Sequence, residues 1–275
     1  MDGNKEIHRY VILSIIPGFG VVSRNRLINM CGNIEDCFER TVGELVHMDQ
    51  KDEKKSRIGE KKLTIFSELR NSQHIIDNAL RIVEACQDRG ISIVTFGDHL
   101  YPQRFRNLSD MPVVLYVRGE LKINQFQHSV GIIGARRCSR EGKKSTIMRT
   151  EIEVQKGSAI VSGMAKGVDS YAHTAAIQND GYTVAVLGSG PDICYPMEHE
   201  KLYEQIIRHG CILSEYPPGT QPRSYMFPRR NRLIAAASDE VYVIDVGRRS
   251  GTETTVESCH RYGRTVRYQM VSATI

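Results

Sequence analysis

The loop between Gly219 and Arg232 combines residue types that could bind a nucleic acid strand. It contains four arginines, two aromatic residues and no carboxylate. An arginine guanidinium pairs with phosphate through a rigid fork, and the rings of Tyr225 and Phe227 offer faces on which bases can stack. The combination suits a single strand, whose bases are free to stack. The alternative is an arginine-rich loop that is clamped to the protein's own carboxylates.

A second loop supplies glycines beside a cation. Gly163 and Gly167 allow the backbone to approach a ligand closely, Asp169 can cap the helix that follows, and Lys166 would lie on the rim. This arrangement suits an anion site. On spacing alone it is matched by a simpler interpretation, in which the glycines only make a tight turn and Lys166 is solvated.

Asp169 and His173 are four residues apart, which would place them on one helix face. Such a pair could serve as an acid and a base, or as metal ligands. No further cluster of ligand residues accompanies it, so we favour a capping aspartate and a packing histidine. No metal and no cofactor are expected.

Two further loops supply arginines and backbone donors. Gly134-Ala-Arg-Arg-Cys-Ser-Arg-Glu-Gly142 lacks the spacing of the G-x-G-x-x-G dinucleotide fingerprint and offers arginines instead. Gly188-Ser-Gly-Pro-Asp-Ile-Cys-Tyr-Pro196 is rich in glycine and so supplies N–H donors. The strand before Ser162 does not end in an acidic residue that could hold a ribose. These features argue against a nicotinamide-dependent dehydrogenase.

The elements that must position these loops are short buried strands, each followed by a helical stretch. Continuous apolar runs that alternate with helices are typical of a parallel sheet covered on both faces. We therefore predict an α/β fold with a Rossmann-like, doubly wound, mainly parallel sheet, and a last edge strand at Thr265–Gln269. The predicted strands before it are Ile91–Thr95, Val113–Val117, Val130–Ile133, Ala159–Val161, Val184–Leu187, Cys211–Leu213 and Val241–Ile244. Up to about Gln87 the apolar spacing favours helices instead.

Composition excludes several classes of protein. The 275 residues are 40% hydrophobic and 25% charged, with a net charge of +5, as in an ordinary globular protein. No apolar run approaches the roughly 18 residues of a membrane helix, and the N-terminus does not resemble a signal peptide, so we expect a cytoplasmic protein. The seven cysteines form no Cys-x-x-Cys pair, which argues against a disulfide framework or a zinc ribbon.

In this order, the four loops resemble the DNA-processing protein A family, also called DprA or Smf. The third and fourth carry its long patterns, V-L-G-x-G-x-D-x-x-Y-P at Val186–Pro196 and S-E-x-P-P-G-T-x-P-x-x-x-x-F-P-x-R-N-R-I/L-I at Ser214–Ile234. Upstream, Gly97–Pro102 and Pro112–Gly119 are also similar to that family. The segment Ile16–Ser23 resembles its helix-hairpin-helix or SAM-like start.

The resemblance implies a small helical SAM-like domain over residues 1–72. It is followed by an extended Rossmann-like domain over 73–275, whose core begins at about residue 128.

The resemblance also implies a protein that is not an enzyme. Such a protein binds single-stranded DNA, helps displace single-strand-binding protein, and loads the RecA recombinase during transformation or recombination. It would be a homodimer through the Rossmann-like domain. By the same resemblance, the residues that would line the DNA strand are Arg136, Ser162, Gly163, Lys166, Phe227, Arg230, Asn231 and Arg232. Arg136 and Lys166 are expected to contact phosphates, and Asn231 to order its loop.

An enzyme of the same Rossmann-like superfamily is the competing hypothesis. Nucleoside-monophosphate phosphoribohydrolases carry a P-G-G-x-G-T-x-x-E loop, which Gly251-Thr252 echoes. The position of its glutamate is occupied here by Thr255, Arg249-Ser250 replaces the neighbouring glycines, and Glu253 and Glu257 lack the spacing to substitute. A domain that only senses nucleotides is a third possibility.

Overall fold

The computed structural model describes residues 2–51, 57–126, 128–245 and 251–269. The chain clusters into two compact units, Met1–Leu115 and Tyr116–Ile275. The predicted boundary between residues 72 and 73 falls inside the first of these units, and the predicted domain organisation stays a prediction.

The first unit is mainly helical, as the apolar spacing predicts. Its elements are α1 (Asp2–Ile15), α2 (Val21–Cys31), α3 (Ile34–Glu39), α4 (Val42–Lys51), α5 (Glu60–Leu69), α6 (Gln73–Asp88), β1 (Ile91–Thr95) and α7 (Gln103–Arg106). The turn between α1 and α2 contains Gly18 at a φ of 73°, a conformation that favours glycine. The next residue, Phe19, stacks on Phe66 of α5 with ring centroids 5.5 Å apart. This turn is therefore anchored in the core of the unit.

The second unit alternates strands and helices. After β2 (Val114–Gly119), which begins at the end of the first unit, the elements are α8 (Ile123–Phe126), β3 (Ser129–Gly134), α9 (Arg140–Gln155), β4 (Ala159–Ser162), α10 (Val168–Gln178), β5 (Thr183–Leu187), α11 (Glu200–His209), β6 (Gly210–Ser214), α12 (Met226–Ala237), β7 (Glu240–Ile244), α13 (Glu253–Arg261) and β8 (Thr265–Gln269). The predicted strands are present, and their ends agree with the structure to within two residues.

The strands of this unit are ordered β2-β6-β5-β4-β3-β7-β8. From β6 to β8 neighbouring strands are parallel, whereas β2 runs antiparallel to β6 with Tyr116 opposite Ser214. The mainly parallel, Rossmann-like sheet is confirmed, and β8 lies at its edge as predicted. From β3 the chain proceeds outward through β4, β5 and β6, and then returns to place β7 on the other side of β3. Such a switch point is where ligands bind in open α/β sheets.

The central strands of the sheet are buried because they are apolar on both faces. All residues of β4, β5 and β6 are buried. The helix α10 packs Val168, Ala172 and Ala176 against β3, β4 and β7, while α12 and α13 pack together as a separate layer. The strand ends, and hence the loops that follow them, are therefore held by a rigid core.

Two further predictions about the chain can be compared with the structure. All seven cysteines are free thiols, five of them buried. Across the described ranges, no helix combines the length and the apolar composition that crossing a bilayer demands.

Candidate functional site

A cleft of about 770 Å³ lies at the switch point of the sheet. Its walls come from the loops after β3, β4 and β6, from α12 and from the start of α13. Tyr195 from the loop after β5 also lines it. Loops that are distant in the sequence meet here because parallel strands direct their carboxyl ends to one edge of the sheet.

Arg136 and Arg137 provide the cleft with exposed positive charge. Both line it from the loop after β3, and both side chains are exposed. Within the described ranges neither guanidinium forms an ion pair or a hydrogen bond, so both can pair with an incoming anion. Arg136 is a predicted phosphate contact. Arg137 was not singled out by the sequence, although it is the adjacent arginine of the same loop.

Lys166, the other predicted phosphate contact, is already paired. Its Nζ lies 2.7 Å from Oε2 of Glu198, and both side chains are about half exposed. Its neighbour Ala165 lines the cleft, so Lys166 lies at the rim rather than on the wall. An anion that reached Lys166 would compete with Glu198.

Arg230 is in the floor of the cleft, with only 5% of its surface exposed. Its Nη1 donates to the carbonyl oxygen of Gly163 at 2.9 Å and to that of Val186. Burial lowers the pKa of Arg230 to about 10, and the nearby Asp169 carboxylate opposes that shift. The guanidinium therefore stays charged at neutral pH and ties the loop after β4 to β5. A β-carbon at Gly163 would overlap the guanidinium, so this close approach favours glycine.

Asn231 organises the loop beside it, as expected. Its Nδ2 donates to the carbonyl oxygen of Gly251 at 3.1 Å and to Oγ1 of Thr254 at 2.8 Å, and its Oδ1 accepts from Nε of Arg230. These bonds join α12 to the start of α13. The amide is thereby engaged within the protein, although Asn231 also lines the cleft.

Besides Lys166, three predicted contacts do not line the cleft, namely Gly163, which packs against Arg230, and Ser162 and Arg232. Ser162 is fully buried and donates its hydroxyl to the carbonyl oxygen of Ile132 at 2.6 Å, so the hydroxyl bridges β4 and β3. Arg232 forms a two-point ion pair with Glu215 at 2.9 and 2.6 Å, with 13% of its side chain exposed. Direct contact of these residues with DNA stays a prediction, and the geometry gives them a structural role. For Arg232, the structure has the clamped arrangement that was the alternative to DNA contact.

The aromatic residues divide between two locations. Phe227 is half-buried in the cleft and packs on Tyr195, with ring centroids 5.5 Å apart and planes 34° apart. Tyr225 is outside the cleft lining and lies under the guanidinium of Arg229 at 5.2 Å. Sequence reasoning missed Tyr195, because the glycines of its loop drew attention to backbone donors instead.

Asp169 and His173 do not form an acid–base pair. Oδ2 of Asp169 accepts from the backbone N–H groups of Gly163 at 3.1 Å and Ala165 at 3.3 Å. The aspartate therefore holds the loop before α10 in place and does not act as the N-cap of that helix. Nδ1 of His173 contacts Oγ1 of Thr183 at 2.7 Å in a fully buried position. Burial lowers the pKa of His173 to about 3, so the ring is neutral. No cluster of metal-ligand residues occurs among the described residues.

A carboxylate occupies the N-terminus of α9, where an anion often binds in this type of fold. Asp245, at the end of β7, has a φ of 54° and accepts a hydrogen bond from the backbone N–H of Ser139 at 2.5 Å. Ser139 itself caps the helix by accepting from Gly142 N at 2.9 Å. Two backbone N–H groups at this helix terminus are therefore already bonded within the protein.

Among the described lining residues, the cleft has no carboxylate at the position that the phosphoribohydrolase motif requires. The only acidic side chain among its described lining residues is Asp169, which is bonded to backbone N–H groups. Thr255 lines the cleft at the position of the motif's glutamate, and Glu253 and Glu257 do not line it. Arg249 and Ser250 lie outside the described residues.

Comparison with known proteins finds a family model and several relatives that this chain resembles. The family model described as DNA recombination-mediator protein A matches residues 92–274. DNA processing protein DprA of Streptococcus pneumoniae is 40% identical over 169 residues, which are 62% of this chain. The chain spans 59%, 48% and 63% of the lengths of three curated relatives that it matches.

Two solved structures share the fold. The X-ray structure of DNA processing protein A from Streptococcus pneumoniae superposes with a TM-score of 0.71 at 28% identity, covering 96% of this chain and 86% of that one. DNA processing protein A from Helicobacter pylori, described for its single-stranded DNA binding mode, superposes with a TM-score of 0.59 at 30% identity, covering 65% of this chain and 80% of that one.

Proposed function

Because the chain belongs to the DNA recombination-mediator protein A family, we propose that it binds single-stranded DNA in the cleft at the switch point of its sheet. The observation that carries the proposal is that exposed cations and aromatic rings line the same cleft. Arg136 and Arg137 are exposed and without ion pairs among the described residues, while Tyr195 and Phe227 line the same cleft. The single-stranded DNA binding of the Helicobacter pylori protein supports the same ligand.

Physical chemistry favours a single strand over a duplex at this site. Guanidinium groups bind phosphates of either form, but an aromatic ring can stack only on a base that is not already stacked and paired within a duplex. Backbone contacts carry no sequence information, so binding is largely independent of sequence. The names of the relatives refer to DNA processing and not to a catalysed reaction, which supports a binding protein rather than an enzyme.

We further propose that the bound strand is delivered to the RecA recombinase, with displacement of single-strand-binding protein, during transformation or recombination. The family's description as a recombination mediator supports this step. The protein would act as a homodimer in the cytoplasm.

A titration of a fluorescently labelled oligonucleotide tests DNA binding. We expect anisotropy to rise on addition of the protein, and unlabelled single strands to displace the probe more effectively than duplex or mononucleotide. If a mononucleotide displaces the probe as well as an equal concentration of single strand does, the nucleotide-sensing alternative is favoured. Release of free base from a nucleotide would favour the phosphoribohydrolase.

The delivery step is tested by RecA assembly on single strands already coated with single-strand-binding protein. Assembly is followed through the DNA-dependent ATPase of RecA. We expect the lag before steady hydrolysis to shorten when this protein is present. A lag that is unchanged at concentrations that saturate the DNA would contradict RecA loading while leaving DNA binding intact.

A further inference from the structure

The three aromatic residues near the cleft differ in how much of their surface a ligand can reach. Tyr195 lines the cleft with 48% of its surface exposed. Tyr225 is similarly exposed but lies outside the lining. Phe227 is half-buried. Among the described residues of the cleft, Tyr195 therefore presents the most accessible aromatic surface.

Contacts on several sides enclose the ring of Phe227. The ring of Tyr195 packs on it at 5.5 Å, and the Arg230 guanidinium carbon lies 6.0 Å from its centroid. A β-carbon on Gly188 would be only 3.0 Å from Cδ1 of the ring, so the backbone just after β5 approaches it closely as well. Phe227 is thus a layer that supports Tyr195, and little of its own surface is left for a base.

The loop that carries Tyr195 is tied down by its own hydrogen bonds. The Ile193 N–H donates to Gly190 at 3.1 Å, and the Cys194 thiol donates to the carbonyl of Pro196 at 3.4 Å. The Asp192 carboxylate accepts from the N–H of Gly219 at 2.9 Å, which joins this loop to the one after β6. An aromatic ring presented on an ordered loop loses little conformational entropy when a ligand binds.

We propose that Tyr195 is the platform on which a base of the bound strand stacks, with Phe227 beneath it as the supporting layer. The proposal rests on single-stranded DNA binding in the cleft. It assigns base contact to the loop after β5 and phosphate contact to Arg136 and Arg137 in the loop after β3. The chemical class recognised at Tyr195 is a planar nucleobase of any identity, because every base has a π-face.

Substitution at Tyr195 tests this assignment. Removing a stacked aromatic ring weakens binding by about 5- to 150-fold in single-strand-binding proteins, so we expect a loss in that range for Tyr195→Leu. Tyr195→Phe keeps the ring and should retain the affinity of the unsubstituted protein. On an oligonucleotide made entirely of abasic sites there is nothing to stack, and Tyr195→Leu should bind it as well as the unsubstituted protein does. Equal losses on both oligonucleotides would overturn the proposal.

A direct signal is available because the chain contains no tryptophan. Tyr195→Trp introduces a single tryptophan, which can be excited selectively over the tyrosines. Its emission should be quenched by a normal oligonucleotide and much less by the abasic one. The matched control is Tyr268→Trp on β8, where the native side chain is 63% exposed. Its emission should stay constant.

The outcomes separate this proposal from the one on which it rests. If the oligonucleotide binds but Tyr195→Leu keeps full affinity and Tyr195→Trp is not quenched, the stacking assignment is overturned and DNA binding stands. If the unsubstituted protein does not bind single strands, both are overturned. Thermal melting of each variant shows whether a loss of binding comes from unfolding.

Discussion

The guanidinium of Arg230 lies directly against the α-carbon of Gly163. A β-carbon at Gly163 would be 2.7 Å from Nη2 and 2.8 Å from both Cζ and Nη1. The guanidinium has little freedom to move, because it is buried and its Nη1 is bonded to the carbonyl oxygens of Gly163 and Val186. The two residues form one packed unit in the floor of the cleft.

Gly163→Ala should therefore destabilise the protein by about 1–3 kcal/mol, the usual cost of adding a methyl group to a filled core. Urea denaturation gives the free energy of unfolding. The control is Gly251→Ala, which adds a methyl group to open space. Gly219→Ala is unsuitable as a control, because Gly219 has a positive φ that strains any other residue. A Gly163→Ala variant as stable as Gly251→Ala would contradict the packing described here.

Replacing Glu198 should strengthen DNA binding. Glu198→Gln removes the carboxylate that pairs with Lys166 and frees the ammonium for a phosphate. An exposed ion pair is worth about 0.2–1 kcal/mol, so the expected gain is about 1.5- to 5-fold in affinity. Anisotropy titrations at low salt measure it. In a Lys166→Gln background the same substitution should give no gain, and a gain that persists there would exclude competition for Lys166 as the cause.

Loss of Arg136 or Arg137 should weaken binding to every sequence alike. Each phosphate contact contributes about 0.7 to the slope of log affinity against log salt concentration for single strands. We expect Arg136→Ala and Arg137→Ala each to reduce that slope by about this amount. Arg208→Ala is the matched control, because Arg208 is exposed at the end of α11, where β6 begins, at the opposite edge of the sheet. If both cleft variants keep the affinity and the salt slope of the unsubstituted protein, DNA does not bind in this cleft.

Acid should destabilise the second unit through His173. Burial lowers the pKa of His173 from 6.5 to about 3, with His199 and Arg230 adding to the shift. Below pH 6.5 the unfolded chain therefore binds a proton that the folded chain excludes, and stability falls as pH falls. Between pH 7 and pH 5 the loss is about 2 kcal/mol.

Denaturation of the unsubstituted protein and of His173→Gln at both pH values isolates this contribution. The variant should lose about 2 kcal/mol less stability than the unsubstituted protein over that range. Equal losses would show that His173 can be protonated within the fold.

The fold could be predicted in large part because its strands are apolar on both faces. A continuous apolar run such as Val184–Leu187 is typical of a strand that is covered on both faces of the sheet. The direction of β2 could not be predicted, since its apolar run is like those of the parallel strands. Whether β2 runs parallel or antiparallel depends on the course of the chain into the sheet, which places β2 antiparallel to β6.

The sequence predicted which loops form the cleft, but it did not predict which of their cations are held in ion pairs. Glycines and arginines at strand ends located the cleft, and Arg136 lines it. The ion pairs Arg232–Glu215 and Lys166–Glu198 join residues 17 and 32 positions apart, and no periodicity relates such positions. Whether a cation is available to a ligand depends on these tertiary neighbours.

The carboxylate of Asp245 at the first turn of α9 has a consequence for selectivity. A small metabolite with one terminal phosphate gains most of its affinity from a single strong anchor, and the helix end that would provide the anchor is already neutralised. A polymer needs no such anchor, because it sums many modest contacts along its length. If the chain binds single-stranded DNA as proposed, the Asp245 carboxylate would therefore disfavour a single nucleotide more than a strand.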